Sequence, residues 1–141
     1  MRRRLTFCPL RILKPVATLS FKATGLWNRA YSEFINPIVR KNEFAINGLD
    51  ATSAGFTILH LSDLHLDLDT RLTGVIYERI KYLKYDIAVI TGDFNNFTIH
   101  SDGLALREMK KIMPAFEQAP IFGVLGNHDS LRDVHVMEKM G

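Results

Sequence analysis

The chain has 141 residues, of which 47% are hydrophobic, so it is long enough for one domain with a real core and bulk disorder is excluded. A single cysteine, Cys8, excludes an intramolecular disulfide framework. No run of about 18 apolar residues occurs, and no transmembrane helix is predicted.

The net charge of +3 conceals two parts of opposite charge. Residues 1–41 contain nine Lys or Arg and one acid, a net charge of +8. Residues 42–141 contain nine Lys or Arg and fourteen acids, a net charge of −5. We therefore predict a basic, partly amphipathic arm over residues 1–41 and a folded region over residues 42–141. Carboxylates concentrate where metal cations bind, which makes the acidic part the candidate for a metal site.

The arm combines basic residues with bulky apolar ones. Pro9 and Pro15 are expected to break any early helix. Residues 22–35 predict an amphipathic helix, whose apolar face holds Leu26, Trp27, Ala30, Tyr31 and Phe34. Basic amphipathic segments with tryptophan are typical of adhesion to anionic membranes. Two alternatives stay open: the helix packs on the domain, or the arm binds nucleic acid, which is less favoured because no repeated basic pattern is present.

The first residues bear on localisation. Arg2-Arg3-Arg4 has the character of a twin-arginine or secretory signal. Arg11 and Lys14 interrupt the apolar region that should follow, and export is not favoured. A cytoplasmic or peripheral-membrane location is the expectation.

The folded region alternates strand and helix patterns, which predicts an α/β fold with parallel strands joined by crossover helices. Strands are predicted at residues 43–46, 56–61, 86–91 and 121–125. Helices are predicted at residues 70–84, 105–116 and 130–139. The strand at 56–61 is nearly all apolar and is expected to be buried on both faces. Pro114 is expected to kink or shorten the second helix.

Polar side chains follow three of these strands at the point where each ends. The segments are Asp63-Leu64-His65, Gly92-Asp93 and Gly126-Asn127-His128-Asp129. The carboxyl ends of parallel strands meet at one crevice, where ligands collect. Alternate residues of an extended strand point to the same side, so Asp63 and His65 can reach one ion. A mixed N/O ligand set without thiolate suits Mn, Fe or Zn.

Each segment also has an ordinary interpretation. Asp-x-His is common by chance, Gly-Asp is a frequent turn, and Gly-Asn-His-Asp fits a turn followed by a helix cap. All three occur in order, each directly after an apolar strand, and this combination favours a metal site.

The three segments resemble the first three motifs of the calcineurin-like metallophosphoesterases. The phrases at residues 58–65 and 90–94 resemble the bacterial membrane-associated branch in particular. The resemblance covers roughly residues 43–141. It implies a β-sandwich flanked by helices (α/β/β/α), of which residues 42–141 form the N-terminal half, truncated after the third motif.

The resemblance also implies roles for individual residues. Asp63 and His65 would bind the first metal ion, and Asp93 would bridge two divalent ions. Asn127 would bind the second ion, and His128 would protonate or steady the leaving group. Supporting positions around these ligands fall to Asn96, where many members have aspartate, and to Asp129. The later Gly-His and Gly-His-x-His motifs are absent, which removes one ligand of the first ion and two of the second.

The expected function is phosphoester hydrolysis, as phosphatase or phosphodiesterase, by hydroxide bound at a binuclear centre. The basic arm favours a lipid-linked substrate at a membrane surface. The alternatives are a nuclease of the same superfamily and a non-catalytic remnant that adheres through its arm. As a hydrolase, the chain as given is expected to be an incomplete fragment that is poorly active alone.

Three further histidines lie outside the motifs. His60 is expected to be buried or to support the site from within the strand. His100 is expected to face solvent, and His135, in the last helix, is not expected to replace a missing ligand.

Overall fold

The computed structural model describes residues 10–96, 103–116 and 118–141, with side chains from Pro15 onward. The chain divides into two compact units, the first ending at Asn36 and the second running from Pro37 to Gly141. The predicted boundary after residue 41 stays a prediction. Among the described helices, none is long and apolar enough to cross a membrane.

The first unit contains two helices, α1 (Leu10–Ala23) and α2 (Leu26–Phe34). Gly25 separates them with a φ of 72°, a left-handed conformation that glycine adopts without strain. Pro15 lies inside α1, so the expectation that it breaks an early helix is wrong. Pro15 lacks the N–H group for one helical hydrogen bond, but the helix continues on both sides of it. No residue of α2 is buried.

The second unit is built on a parallel three-stranded sheet of order β1-β2-β3. Its strands are β1 (Ile58–Leu61), β2 (Ile87–Ile90) and β3 (Ile121–Gly123). Its helices are α3 (Arg71–Ile80), α4 (Leu104–Ile112) and α5 (Val134–Glu138). The mixed α/β prediction, with parallel strands, is confirmed. After α4 the chain continues as a 3-10 turn, Met113–Phe116, in line with the expected effect of Pro114.

One face of the sheet packs against α3 and α4. From the strands come Leu59, Leu61, Ala88, Ile90 and Ile121, and from the helices Leu72, Ile76, Ile80, Ala105, Met109 and Ile112. A buried polar contact joins the two helices, because the Thr73 hydroxyl donates to Glu108 Oε2 at 2.8 Å. The periodic apolar positions of each helix therefore form the core, and the strands are held with their carboxyl ends at one edge.

The opposite face of the sheet is open. Ile58 and Phe122 on that face are 53% and 57% exposed. The expectation that the strand at residues 56–61 is buried on both faces is therefore wrong, because α3 and α4 cover only the other face of the sheet. His60 is also exposed rather than buried, and its Nε2 lies 2.8 Å from the Thr91 hydroxyl.

The predicted strand at residues 43–46 is also wrong. The segment is irregular, and Phe44 is 83% exposed. Polar–apolar alternation by itself does not make a strand, because the backbone also needs a neighbouring edge to pair with. Within the described residues, the sheet has three strands and this segment is not among them.

Candidate metal centre

Three predicted ligands converge where β1 and β2 end. Asp63, His65 and Asp93 each offer one ligand atom, and these atoms all lie within 4.8 Å of one another. Parallel pairing of β1 with β2, with Leu61 opposite Ile90, brings the loops after the two strands together. In the part of the chain that the structure describes, this is the one cluster of His, Cys, Asp or Glu with such spacing. Carboxylate and imidazole donors at this spacing fit one divalent ion of the Mn, Fe or Zn type.

The same three residues have strained backbones. Their φ angles are 52° for Asp63, 40° for His65 and 54° for Asp93, and no other non-glycine residue among those described has a positive φ. Such conformations are rare for residues with a Cβ, persist only when neighbouring structure holds them, and cluster at functional sites. The strain thus marks these three positions independently of their side-chain chemistry.

The left-handed backbones of these residues are stabilised by backbone hydrogen bonds between the loop after β1 (residues 62–67) and the loop after β2 (residues 91–96). The N–H groups of Asp63 and His65 donate to the carbonyls of Gly92 and Asp93 at 3.2 and 2.9 Å. Asp63 and His65 therefore meet at one place, as expected, but not as members of an extended strand, because β1 ends at Leu61. Paired left-handed turns bring them together.

The orientation of the His65 ring is set by a backbone carbonyl. Nδ1 of His65 lies 2.8 Å from the carbonyl oxygen of Asn95. A carbonyl oxygen only accepts, so Nδ1 carries the proton and Nε2 keeps its lone pair for a metal ion. Metal-binding histidines typically have such a partner on the second ring nitrogen.

The loop after β3 (residues 124–130) packs directly on the other two. A Cβ built on Gly126 would collide with the Asp93 carboxylate, and one built on Gly92 would collide with the backbone of Gly126. The His128 N–H donates to Oδ1 of Asp93 at 2.9 Å. The ring of His128 meets the ring of His65 edge-on, with centroids 5.5 Å apart. The glycines in the second and third motifs thus allow a close approach of two loops.

Comparison with known proteins agrees with this geometry. The profile of the calcineurin-like phosphoesterases matches residues 56–141. The chain belongs to this family. It is also 35% identical over 95 residues to the uncharacterized metallophosphoesterase YkoQ of Bacillus subtilis (strain 168), an alignment that covers 64% of this chain and 34% of YkoQ. The chain thus spans about a third of that relative. No solved structure matches it.

The remaining predicted site residues of this family member lie in the loops after β2 and β3. Asn127 is exposed and lies between Gly126 and His128. The Asn96 N–H donates to Oδ1 of Asp67 at 2.7 Å. Metal binding by Asn127 and a supporting role for Asn96 stay predictions. His135 is exposed on α5, and His100 lies outside the described residues.

The structure adds two residues that the motifs do not identify. Asn95 is 2% exposed and contacts both His65 and the third loop. Asp67 binds the backbone of the second loop through Asn96. In both cases the available sequence signal is a polar residue two positions after a metal-binding motif, and it does not reveal which side chain turns inward.

Proposed function

We propose that the protein is a metal-dependent phosphoester hydrolase that uses two divalent ions at the edge of the sheet where β1, β2 and β3 end. The observation that carries the proposal is the convergence of Asp63, His65 and Asp93 on strained backbones in a member of the calcineurin-like family. A divalent ion supplies Lewis acidity toward a phosphoryl oxygen and toward water.

The protein's own residues have separate tasks in this proposal. Asp63 and His65 hold the first ion, and Asp93 holds both. Asn127 holds the second ion. His128 is placed beside His65, where its imidazole donates a proton to the leaving oxygen or hydrogen-bonds to it. Asp129 supports this loop. The described residues offer one three-residue cluster, so the second ion requires donors beyond those three.

A specific observation favours action at a membrane surface. The Lys22 ammonium lies 5.4 Å from the centre of the Trp27 ring, and α2 has no buried residue. Large apolar side chains of the first unit are exposed, among them Val16, Leu19, Phe21, Leu26 and Phe34. With a charge of +8 over residues 1–41, this arm fits an anionic lipid surface and a lipid-linked phosphoester. In that case the protein is a peripheral-membrane protein.

The test is metal-dependent hydrolysis of bis(4-nitrophenyl) phosphate and 4-nitrophenyl phosphate. The 141-residue chain is assayed with Mn²⁺ and with EDTA, as is any longer chain that its gene encodes. Mn²⁺-dependent turnover that His65→Ala abolishes supports the proposal. Absence of turnover of both substrates by every chain assayed supports the non-catalytic alternative. Preferential cleavage of single-stranded DNA supports the nuclease alternative.

A further inference from the structure

We propose that Asn95 and Asp129 form a positioning pair that holds His65 and Asp93 in their metal-binding geometry. Neither residue is proposed to touch a metal ion or substrate. The inference rests on the proposed function for its importance, but its physical content, the orientation of the His65 ring, is measurable without any reaction.

Asp129 uses both carboxylate oxygens to tie two loops together. Oδ1 accepts from the Asn95 backbone N–H at 3.1 Å and from the Asn95 side-chain amide at 3.2 Å. Oδ2 accepts from the Gly126 N–H at 2.9 Å. One carboxylate of the third loop therefore satisfies donors in the second loop and in its own loop, and hydrogen bonds to a charged acceptor are stronger than neutral ones.

Asn95 connects Asp129 of the third loop to His65 of the first loop. Its backbone carbonyl accepts from His65 Nδ1 at 2.8 Å, while its N–H points to Asp129. Its side-chain amide also donates to Oδ2 of Asp133 at 3.2 Å. The residue is 2% exposed, so solvent cannot replace these partners.

The second and third loops are joined by two reciprocal hydrogen bonds, in which a carboxylate of each loop accepts from a backbone N–H of the other. Asp93 of the second loop accepts from the His128 N–H of the third, and Asp129 of the third loop accepts from the Asn95 N–H of the second. Asp93 takes part in the first of these bonds, and His65 contacts the Asn95 carbonyl; both residues have left-handed backbones, which need external restraint. Removal of the Asp129 tie should let the Asn95 carbonyl move and release the His65 ring.

Two isosteric substitutions test the pair. Asp129→Asn leaves one acceptor oxygen where there were two, so either Asn95 or Gly126 loses its partner. Asn95→Asp removes the amide donor and places a third carboxylate beside Asp129 and Asp133. Loss of such supporting residues typically lowers metal affinity about 10–100-fold.

The measurement has two parts. The ¹⁵N shifts of the His65 ring are recorded in the metal-free chain at pH 8, and Mn²⁺ affinity is measured by titration. The unmodified chain should carry the proton on Nδ1. Asp129→Asn and Asn95→Asp should populate the Nε2-protonated tautomer and bind Mn²⁺ at least about tenfold more weakly.

Two control variants separate positioning from stability. Asp133→Asn should have a smaller effect, because it contacts the Asn95 side chain and leaves both ties of Asp129. Glu108→Gln removes a buried carboxylate between α3 and α4 and should lower the melting temperature without changing the His65 tautomer.

The proposal is overturned if the unmodified chain protonates His65 on Nε2. It is also overturned if Asp129→Asn and Asn95→Asp leave tautomer and affinity unchanged, or if Glu108→Gln changes them as much. If one of the variants Asp129→Asn and Asn95→Asp fails to fold, the tautomer and Mn²⁺ affinity of the other variant test the proposal. Expected tautomer changes in a protein that hydrolyses no phosphoester would contradict the hydrolase proposal and leave the positioning pair intact.

Discussion

The backbone N–H of His128 donates to Oδ1 of Asp93 at 2.9 Å, which ties the proposed proton donor's loop to the proposed bridging ligand. Because Gly126 leaves no Cβ at this contact, the carboxylate lies directly against the third loop. The position of His128 and the position of the Asp93 carboxylate are therefore coupled, and a change at either residue should alter both.

Asp93→Asn should abolish most metal binding and activity. The amide retains an oxygen that can accept from His128, so the fold should survive, but the negative charge that would serve both ions is lost. We expect at least about a 100-fold fall in kcat/KM for bis(4-nitrophenyl) phosphate, comparable with the loss of a main electrostatic group. Asn96→Ala should cost less activity, since the observed hydrogen bond from residue 96 to Asp67 uses the backbone N–H and remains. Near-normal turnover of Asp93→Asn with Mn²⁺ would contradict the assignment.

Gly126→Ala should destabilise the second unit and weaken Mn²⁺ binding. The added Cβ would overlap the Asp93 carboxylate, and overpacking of this kind costs about 1–3 kcal/mol. Gly74→Ala is the matched control, because a Cβ on Gly74 in α3 meets nothing within 4 Å. In a helix the alanine should stabilise by up to about 1 kcal/mol. Thermal melts and Mn²⁺ titrations of both variants check this, and equal stability of the two would contradict close packing of the loops.

Asp63, His65 and Asp93 are identifiable from the sequence as converging residues, but their backbone conformations are not. Motif spacing predicts which residues converge, because parallel strands must end at one edge. It does not predict the left-handed backbones of Asp63 and His65, since those depend on bonds to a loop about 30 residues later. The role of Asn95 is hidden for the same reason. Helix periodicity predicts α3 and α4, whereas the alternation at residues 43–46 predicts a strand that has no partner.

Glu108 should make the second unit less stable in acid. Burial by itself raises the pKa of Glu108, but hydrogen bonds from Lys111 and Thr73 outweigh it and hold that pKa below its ordinary value of 4.5. A lowered pKa in the folded state means that the carboxylate stabilises above about pH 4.5 and that this contribution is lost as the pH falls through the lowered value.

Glu108→Gln should therefore reduce stability at pH 7 by about 1–3 kcal/mol and by a smaller amount at pH 3. Thermal melts at the two pH values measure the difference. Glu78→Gln is the control, because Glu78 pairs with Lys81 at the surface with its side chain 63% exposed. A deficit of equal size at both pH values would show that the charge of Glu108 is not the stabilising feature.

The arm should bind anionic vesicles in a salt-dependent way. Electrostatic attraction is screened as ionic strength rises, while the apolar contribution of Trp27 is not. Co-sedimentation with vesicles containing phosphatidylserine should fall with added NaCl, and further with Trp27→Ala. Phe44→Ala, which removes an exposed aromatic outside α1 and α2, should leave binding unchanged. Equal binding to neutral and anionic vesicles would refute the electrostatic role.

The open face of the sheet should make the 141-residue chain associate. Ile58 in β1, Phe122 in β3 and Val124 directly after β3 are 53%, 57% and 60% exposed on the open side of the sheet, and exposed apolar patches favour association. We expect light scattering to show a mass that rises with concentration. Phe122→Ser should reduce this association, whereas Tyr82→Ser, at a position 83% exposed after α3, should not. A monodisperse monomer at high concentration, unchanged by Phe122→Ser, would show that this face needs no covering layer.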